Sequence, residues 1–432
     1  MSQLTRRSLL IGGATVAAVA LTPEIAHANP TPTPGTVHFT LNAVTLDGGE
    51  QVTSLTLDTN GLTIDPASLT TGTFLVHATA VSPVALPAGQ IDTGAYDTDR
   101  VVTAVHLVHD KIVVELKSGF SNPSEGVTTG EPGAGTLTYI YPLGRNLRSK
   151  LTYTITQKES IKLRKGGSVT FAGFAQGKLV NPEVDAYKYA KSGDGMNYRL
   201  YVPAGHGHDK KPLVVWLHGG GEGGAADLKY YDNEAQLRAN RGALGFSTPQ
   251  HQDIFNGAYV VAPQAESFWL ENGDAYSPRV LAIIEDLVRR YPIDVSRIYL
   301  AGCSNGGYLT MKMSALYHDV FAAAVPICGV VKGFPTAADV SLTDAELKSI
   351  VTPSWLVCAA SDTTVPPVDN SVPAHALIKG SILTEDPTVL WQGVTYPGHW
   401  SWIYVARNDP KNAQGQHVMQ WMASKKLWGH RR

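Results

Sequence analysis

A serine in a glycine-rich turn is the clearest chemical feature of the chain. Gly302-Cys303-Ser304-Asn305-Gly306 follows an apolar run at 297–301, and residues 308–317 after it have helical character. A strand, a Gly-x-Ser-x-Gly turn and a helix are typical of a nucleophile elbow, whose glycines permit a turn too tight for side chains. The pattern predicts that Ser304 is the nucleophile of an acyl-transfer reaction.

A second glycine-rich loop, Leu217-His218-Gly219-Gly220-Gly221, follows an earlier predicted strand. Glycine lets a backbone approach a reacting group closely, so this loop can direct an N–H at a developing oxyanion. We expect the oxyanion hole to consist of the backbone N–H groups of Gly220 and Asn305. His218 is interpreted as a packed, hydrogen-bonded loop residue.

The acid of such a site should follow a strand end after the nucleophile. Asp362 meets this requirement because it comes just after the predicted strand at 354–358. Asp369 is the main competitor, but it lies beyond Pro366-Pro367 and is interpreted as a solvated loop acid.

The base should be a histidine that follows the acid in the chain. His399 comes after a predicted strand at 389–396 and a Pro397-Gly398 turn, and the other candidates look helical or terminal: His375, His417 and His430. A serine hydroxyl is a poor nucleophile at neutral pH, so His399 must take its proton while Asp362 fixes the ring tautomer. This chemistry requires no metal and no organic cofactor, and the sequence shows neither zinc-type Cys/His spacing nor a phosphate-binding loop.

The elements that must position these residues change in character along the chain. Residues 36–170 carry short alternating runs that predict an all-β sandwich, with strands at 37–41, 73–77, 101–108, 111–116, 137–141 and 151–155. From about residue 171, strands alternate with helical segments, which predicts an α/β fold with a mostly parallel sheet. Its strands are expected at 198–202, 213–217, 258–262, 297–301, 322–325, 354–358 and 389–396. One helix in this part should be capped by Ser277, have Pro278 in its first turn and end at Tyr291-Pro292.

The first 28 residues read as a twin-arginine signal peptide, with Arg6-Arg7 before an apolar run at 9–21. That run of 13 residues falls short of the roughly 20 that span a bilayer, so a stable membrane anchor is not expected. A net charge of −2 gives no reason to expect nucleic acid as a partner. We therefore expect a secreted protein whose export partner is the twin-arginine machinery.

The three cysteines are too few for a disulfide scaffold. Cys303 and Cys328 end consecutive predicted strands and could come within bonding distance, while two small buried thiols remain the alternative.

With these residues identified, the chain resembles bacterial α/β-hydrolase serine esterases that carry an N-terminal immunoglobulin-like domain, related to the polyhydroxybutyrate depolymerase and feruloyl esterase group. The matching stretches are 217–224, 294–311, 321–329, 361–367 and 398–404. The resemblance implies an immunoglobulin-like sandwich at 36–170, a catalytic domain at 183–432 and the triad Ser304, Asp362 and His399.

Two alternatives to a serine esterase remain open at this point. One is a prolyl-oligopeptidase-like peptidase, which uses the same mechanism. An ester is the easier substrate because its alkoxide does not need the protonation that an amide nitrogen needs in order to leave. The other is a surface-binding module with a vestigial hydrolase. The expected substrate is a small or polymeric ester.

The length of the segment at 329–353 indicates how open the site is. Its 25 residues must hold a connection and a short helix around 342–350, which leaves little chain for a lid. We therefore expect an open cleft. Trp269, Trp400 and Trp402 are candidates for its lining, with ordinary packing as the alternative.

Overall fold

The structure is a computed structural model that describes residues 35–121, 130–205, 209–332 and 342–427. The predicted signal peptide at 1–28 lies outside these ranges.

The N-terminal part is strand-rich, as the alternating pattern predicts. Its strands are β1 (Thr36–Leu46), β2 (Gly49–Leu57), β3 (Phe74–Val81), β4 (Ile91–Asp92), β5 (Tyr96–Arg100), β6 (Val102–Val108), β7 (Lys111–Leu116), β8 (Leu137–Tyr141), β9 (Arg145–Arg148), β10 (Lys150–Gln157), β11 (Ile161–Lys162), β12 (Ser168–Val169) and β13 (Gly173–Val180). A five-stranded sheet has the order β13-β1-β2-β7-β6, and a three-stranded sheet has the order β10-β3-β5. Alternate residues of these strands, among them Phe39, Leu55, Val76 and Val114, form one buried apolar core.

The predicted boundary at residue 170 cuts this first sheet. Strand β13 comes after that boundary and pairs in parallel with β1, so the sheet continues to Val180. Seven strands of this part were not predicted: β2, β4, β5, β9, β11, β12 and β13.

The second part is built on one eight-stranded, mostly parallel sheet, as predicted. Its order is β14-β15-β17-β16-β18-β19-β20-β21, and only the pairs β14–β15 and β15–β17 are antiparallel. The strands are β14 (Tyr187–Lys191), β15 (Asn197–Tyr201), β16 (Lys211–Leu217), β17 (Tyr259–Pro263), β18 (Ile293–Cys303), β19 (Ala323–Ile327), β20 (Trp355–Ala359) and β21 (Ile382–Asp386).

Helices cover both faces of this sheet. They are α1 (Pro182–Asp185), α2 (Ala235–Arg238), α3 (Gly242–Ser247), α4 (Pro249–Phe255), α5 (Gly273–Arg290), α6 (Asn305–Leu316), α7 (Asp344–Ser349), α8 (Ser371–Leu377), α9 (Trp402–Ala406) and α10 (Val418–Ala423). In β16, Leu213, Val215 and Leu217 face one buried core. Val214 and Trp216 face the other, so the near-continuous apolar run reflects burial on both faces.

Two local predictions in this part were wrong. The segment at 389–396 is a small antiparallel hairpin, β22 (Val389–Trp391) and β23 (Val394–Tyr396), and the edge strand of the main sheet is the earlier β21. Helix α5 is capped by Asn272, whose side chain accepts from the N–H of Ala275, so Pro278 lies inside the helix. The Ser277 hydroxyl donates to the carbonyl of Gly273, one turn earlier.

Buried ion pairs join the two parts of the chain. The side chain of Glu50, in β2, is fully buried and pairs with Arg238 of α2. Arg407 makes two bonds of 2.9 Å to the carboxylate of Asp47 in the β1–β2 turn. Replacing either partner of the Glu50–Arg238 pair with an apolar residue would leave the other charge buried and unpaired, at a cost of about 3–5 kcal/mol.

None of the helices in the described ranges is long and apolar enough to cross a membrane.

Candidate active site

Ser304 occupies a strained turn between β18 and α6. Its backbone angles are φ 55° and ψ −116°, a conformation that L-residues rarely adopt. The strain is held in place by the bond from the Ser304 N–H to the carbonyl of Ile327 at 2.8 Å. The hydroxyl makes no helix-capping bond. It is therefore left for chemistry at the carboxyl edge of the sheet.

The glycines of the elbow are required by close backbone approach. A methyl group on Gly306 would lie 2.0 Å from the carbonyl oxygen of Leu217, and one on Gly302 would lie 2.6 Å from the carbonyl oxygen of Gly306. Any larger residue would push β16 away from the elbow.

Asp362 and His399 meet at the same edge of the sheet. The Asp362 Oδ2 accepts a hydrogen bond of 2.8 Å from Nδ1 of His399. The other carboxylate oxygen accepts from the N–H groups of Thr364 and Val365, each at 2.9 Å. These three bonds fix the carboxylate, which in turn fixes the ring tautomer and leaves Nε2 as the acceptor.

The surroundings of His399 favour its protonated form. Burial alone lowers the pKa of His399, but its interactions with the side chains of Cys328 and Asp362 raise it, and the net pKa lies above the ordinary 6.5. Stabilisation of the imidazolium is what a general base needs after it has taken a proton.

The two predicted oxyanion donors each begin a helical turn. Asn305 is the first residue of α6, and Gly220 opens a short 3-10 turn at Gly220–Glu222. The first N–H groups of a helix have no acceptor within it, so both N–H groups are available to a substrate oxygen. The Asn305 side chain has a different task, because its Oδ1 accepts from the N–H of Leu270 at 2.9 Å.

His218 is a packed structural residue in this structure. The N–H of Ala265 donates to its Nε2 at 3.0 Å, so Nδ1 carries the proton and donates to the carbonyl of Gly219 at 2.6 Å. Burial lowers the pKa of His218 to about 3, which keeps the ring neutral.

Glu222 is a buried acid at the end of the 3-10 turn in the oxyanion loop. This residue was not identified from the sequence. Its side chain is hydrogen-bonded by the Gly219 backbone and Asn240, and burial raises the pKa of Glu222 to about 7. Its Oε2 is buried and makes no hydrogen bond among the residues that the structure describes. The same space beside Gly219 holds the sulfur of Cys303.

The N-terminal part also supports the oxyanion loop, through the β8–β9 hairpin. Asn146 Nδ2 donates to the carbonyl of Gly221 at 3.2 Å, and Arg145 Nε donates to the carbonyl of Gly224 at 2.8 Å. The Arg145 guanidinium stacks 3.4 Å from the ring centroid of Phe268, which itself lies against Gly220. No motif marks these residues, because the contact joins positions about 75 residues apart.

The loop that carries His399 is braced by aromatic rings. Phe120, from the N-terminal part, stacks on Tyr396 with a centroid distance of 4.9 Å and lies 5.2 Å from Trp400. Trp402 contacts the His399 ring edge to face at 5.6 Å. Trp269 is fully buried against His218, so packing explains it.

The remaining candidates lie apart from this cluster. Asp369 is exposed at the end of a short 3-10 turn. His375 pairs with the hydroxyl of Ser381, and the half-buried His417 faces the carbonyl of Asp409. His430 lies outside the described residues. Cys303, Cys328 and Cys358 are all buried free thiols, so the structure contains no Cys303–Cys328 disulfide.

The second half of the chain is similar to known esterases. Residues 196–386 match the family model Esterase PHB depolymerase, a stretch that includes Ser304 and Asp362 but ends before His399. Poly(3-hydroxyalkanoate) depolymerase C of Paucimonas lemoignei is 33% identical over 142 residues, which is 30% of either chain. A probable acetylxylan esterase A of Aspergillus flavus is 29% identical over 136 residues, or 28% of this chain and 44% of the relative.

The solved structure of a thermostable esterase is similar over a longer range. It has a TM-score of 0.70 and 25% identity, and the match covers 90% of this chain and 99% of that one. The chain spans less than half the length of the two curated relatives named above. These findings confirm the resemblance to α/β-hydrolase esterases of the depolymerase group.

Proposed function

We propose that the protein is a secreted serine hydrolase that cleaves carboxylic esters through an acyl-enzyme intermediate. The observation that carries this proposal is the bond between His399 and the buried Asp362 at the sheet edge where Ser304 occupies a strained elbow. Ser304 acts as nucleophile, His399 as general base and acid, and Asp362 as the group that orients the ring.

The reaction follows from this geometry in two halves. Ser304 Oγ attacks the ester carbonyl while His399 takes the hydroxyl proton, and the N–H groups of Gly220 and Asn305 receive the developing oxyanion. Collapse breaks the bond to the alkoxide, which leaves with the proton from His399. A water molecule then repeats the sequence on the acyl enzyme, releases the acid and restores Ser304.

The substrate proposal draws on the relatives and on the chemistry of the leaving group. Curated relatives are named for the depolymerisation of poly(3-hydroxyalkanoate) and the deacetylation of xylan, both of which are ester cleavages on polymers. The segment before α7 is short, and a capping box at Thr343 fixes the N-terminus of α7. We therefore propose an open cleft that accepts a small ester or a segment of a polymer.

The N-terminal part is proposed to be an immunoglobulin-like domain that supports catalysis. Its hairpin bonds to Gly221 and Gly224 hold the oxyanion loop from outside the catalytic domain. Residues 1–28 are proposed to direct export by the twin-arginine machinery, and 183–432 to form the catalytic domain.

A serine-reactive fluorophosphonate tests the proposal directly. Wild-type protein should be labelled at Ser304 and should hydrolyse short p-nitrophenyl esters, whereas Ser304→Ala should lose labelling and at least about 10³-fold of the rate. Ser424→Ala is a matched control because Ser424 is exposed after the last helix, far along the chain from the elbow. Labelling that persists in Ser304→Ala, or peptide amides cleaved faster than esters, would contradict the assignment.

A further inference from the structure

The thiol of Cys328 lies inside the catalytic cluster but has no part in the mechanism above. Cys328 directly follows β19, and β19 lies between β18, which leads to Ser304, and β20, which leads to Asp362. Its side chain is fully buried. The topology therefore places a sulfur atom between the nucleophile and the acid.

The backbone at Cys328 adopts a conformation that suits glycine better. Its φ angle is +39°, in the left-handed region where a side chain is strained. Strain of this kind is concentrated at functional sites. The position therefore holds a side chain despite the backbone geometry, and that side chain is a thiol directed at His399.

Three different ligand groups converge at this point. The sulfur of Cys328, a carboxylate oxygen of Asp362 and a ring nitrogen of His399 all lie within 4.8 Å of one another. Cysteine, histidine and aspartate are the ligands of zinc sites, with bonds of about 2.0–2.3 Å and hence ligand separations of about 3.3–3.8 Å in a tetrahedron. Side-chain movements of about 1 Å would reach that geometry, and a fourth position would stay open for water.

We propose that Cys328, Asp362 and His399 form an inhibitory site for a thiophilic divalent cation such as Zn²⁺ or Cd²⁺. On binding, a metal–sulfur bond forms and the thiol proton of Cys328 is released to solvent. The ring nitrogen of His399 donates its lone pair to the metal, and the Asp362 carboxylate supplies an oxygen.

Inhibition follows because a metal-bound ring cannot perform proton transfer. The imidazole either loses the lone pair that accepts the Ser304 proton or loses the hydrogen bond to Asp362 that orients it. A chelator reverses the effect, since no covalent bond within the protein is broken. This inhibitory consequence rests on the proposed function, whereas the binding itself does not.

The donor set also predicts which cations bind. Mg²⁺ and Ca²⁺ prefer shells of oxygen atoms, and this cluster offers one carboxylate beside a sulfur and a nitrogen. Neither Mg²⁺ nor Ca²⁺ should therefore inhibit at concentrations where Zn²⁺ does.

Cadmium titration of the free protein tests the site without any substrate. Cd²⁺ bound to a thiolate gives a charge-transfer absorption in the ultraviolet, which should grow to one equivalent in the wild-type protein. Cys328→Ser should lose it. Cys358→Ser is the matched control, since the Cys358 sulfur contacts the carbonyl of Thr384 on the neighbouring strand at 3.7 Å. In rate measurements, Zn²⁺ should inhibit Cys328→Ser at least about tenfold more weakly than wild type, relative to each protein's own uninhibited rate.

X-ray absorption at the metal edge of the wild-type complex keeps the test independent of how any variant folds. One sulfur neighbour with nitrogen or oxygen neighbours is expected. A cadmium–thiolate band that persists in Cys328→Ser, a shell without sulfur, or bound metal that leaves ester hydrolysis unchanged would overturn the proposal. A protein that shows the Cys328-dependent band but hydrolyses no ester would contradict the proposed function and uphold the metal site.

Discussion

The buried acid Glu222 makes the stability of the protein depend on pH in a way that one substitution should remove. The side chain is 7% exposed, and its pKa rises from 4.5 to about 7 on folding because burial disfavours the charged form. A folded pKa above the unfolded one means that the folded protein binds the proton more tightly. The contribution is therefore fully present below about pH 4.5 and is lost as the pH rises through about 7.

The size of this effect follows from the pKa difference. One pKa unit corresponds to about 1.36 kcal/mol, so the shift from 4.5 to about 7 gives a loss of about 3 kcal/mol in the free energy of unfolding. Glu222→Gln keeps the shape and cannot ionise. The variant should match the wild type near pH 4 and exceed it by up to about 3 kcal/mol at pH 8, or about 3–4 °C in melting temperature for a chain of this length.

Melting temperatures of both proteins from pH 4 to pH 8.5 provide the assay. Since other groups titrate in both proteins, the informative quantity is the difference between them at each pH. Glu271→Gln is the matched control because Glu271 is an exposed acid on a nearby turn. A difference between wild type and Glu222→Gln that stays constant across the range would refute the reasoning, as would an equal pH dependence in the control.

Three further predictions concern the site itself. Asp362→Asn should lower kcat by about 10⁴-fold through loss of tautomer control, while Asp369→Asn should leave it nearly unchanged, and the reverse order in steady-state assays would identify a different acid. Asn146→Ala should lower kcat about fivefold, the equivalent of about 1 kcal/mol, with little change in KM, because it removes the bond to Gly221 that holds the oxyanion loop. An unchanged kcat would show that the bond from Asn146 to Gly221 has no catalytic role. Kinetics on a short-chain ester across its solubility limit should show no sharp rise in rate, and a jump once an interface forms would reveal a lid.

The catalytic half of the fold could be read from the sequence because its signals are local. A buried parallel strand is a continuous apolar run, and the elbow motif sits where one such run ends. The sequence does not predict the edge strand β21, because Ile382–Asp386 is only partly buried and carries polar residues. The alternating pattern at 389–396 predicts a strand, and these residues form the hairpin β22–β23 instead, because a paired strand has this pattern in any sheet.

The roles of the site residues depend on contacts that no local pattern records. The triad positions follow from motif and chain order, and their catalytic roles stay predictions until the variants above are measured. Cys328 and Asn146 reach the site through tertiary packing, from a strand end and from the β8–β9 hairpin of the N-terminal part. No sequence motif marks either residue as part of the site, so only the assembled fold shows which groups their side chains contact.

The fully buried carboxylate of Glu50 has a consequence for how the chain assembles during synthesis. Strand β13 closes the first sheet at Val180, so this sheet is complete before the catalytic half leaves the ribosome. Within that sheet, Glu50 already has the amide of Asn181 and the hydroxyl of Thr136 as donors, at 2.6 Å and 2.5 Å. Its counter-charge, Arg238, is translated almost sixty residues later. The earlier part of the chain thus holds the Glu50 carboxylate with its own donors, and the pair with Arg238 forms only after α2 has been translated.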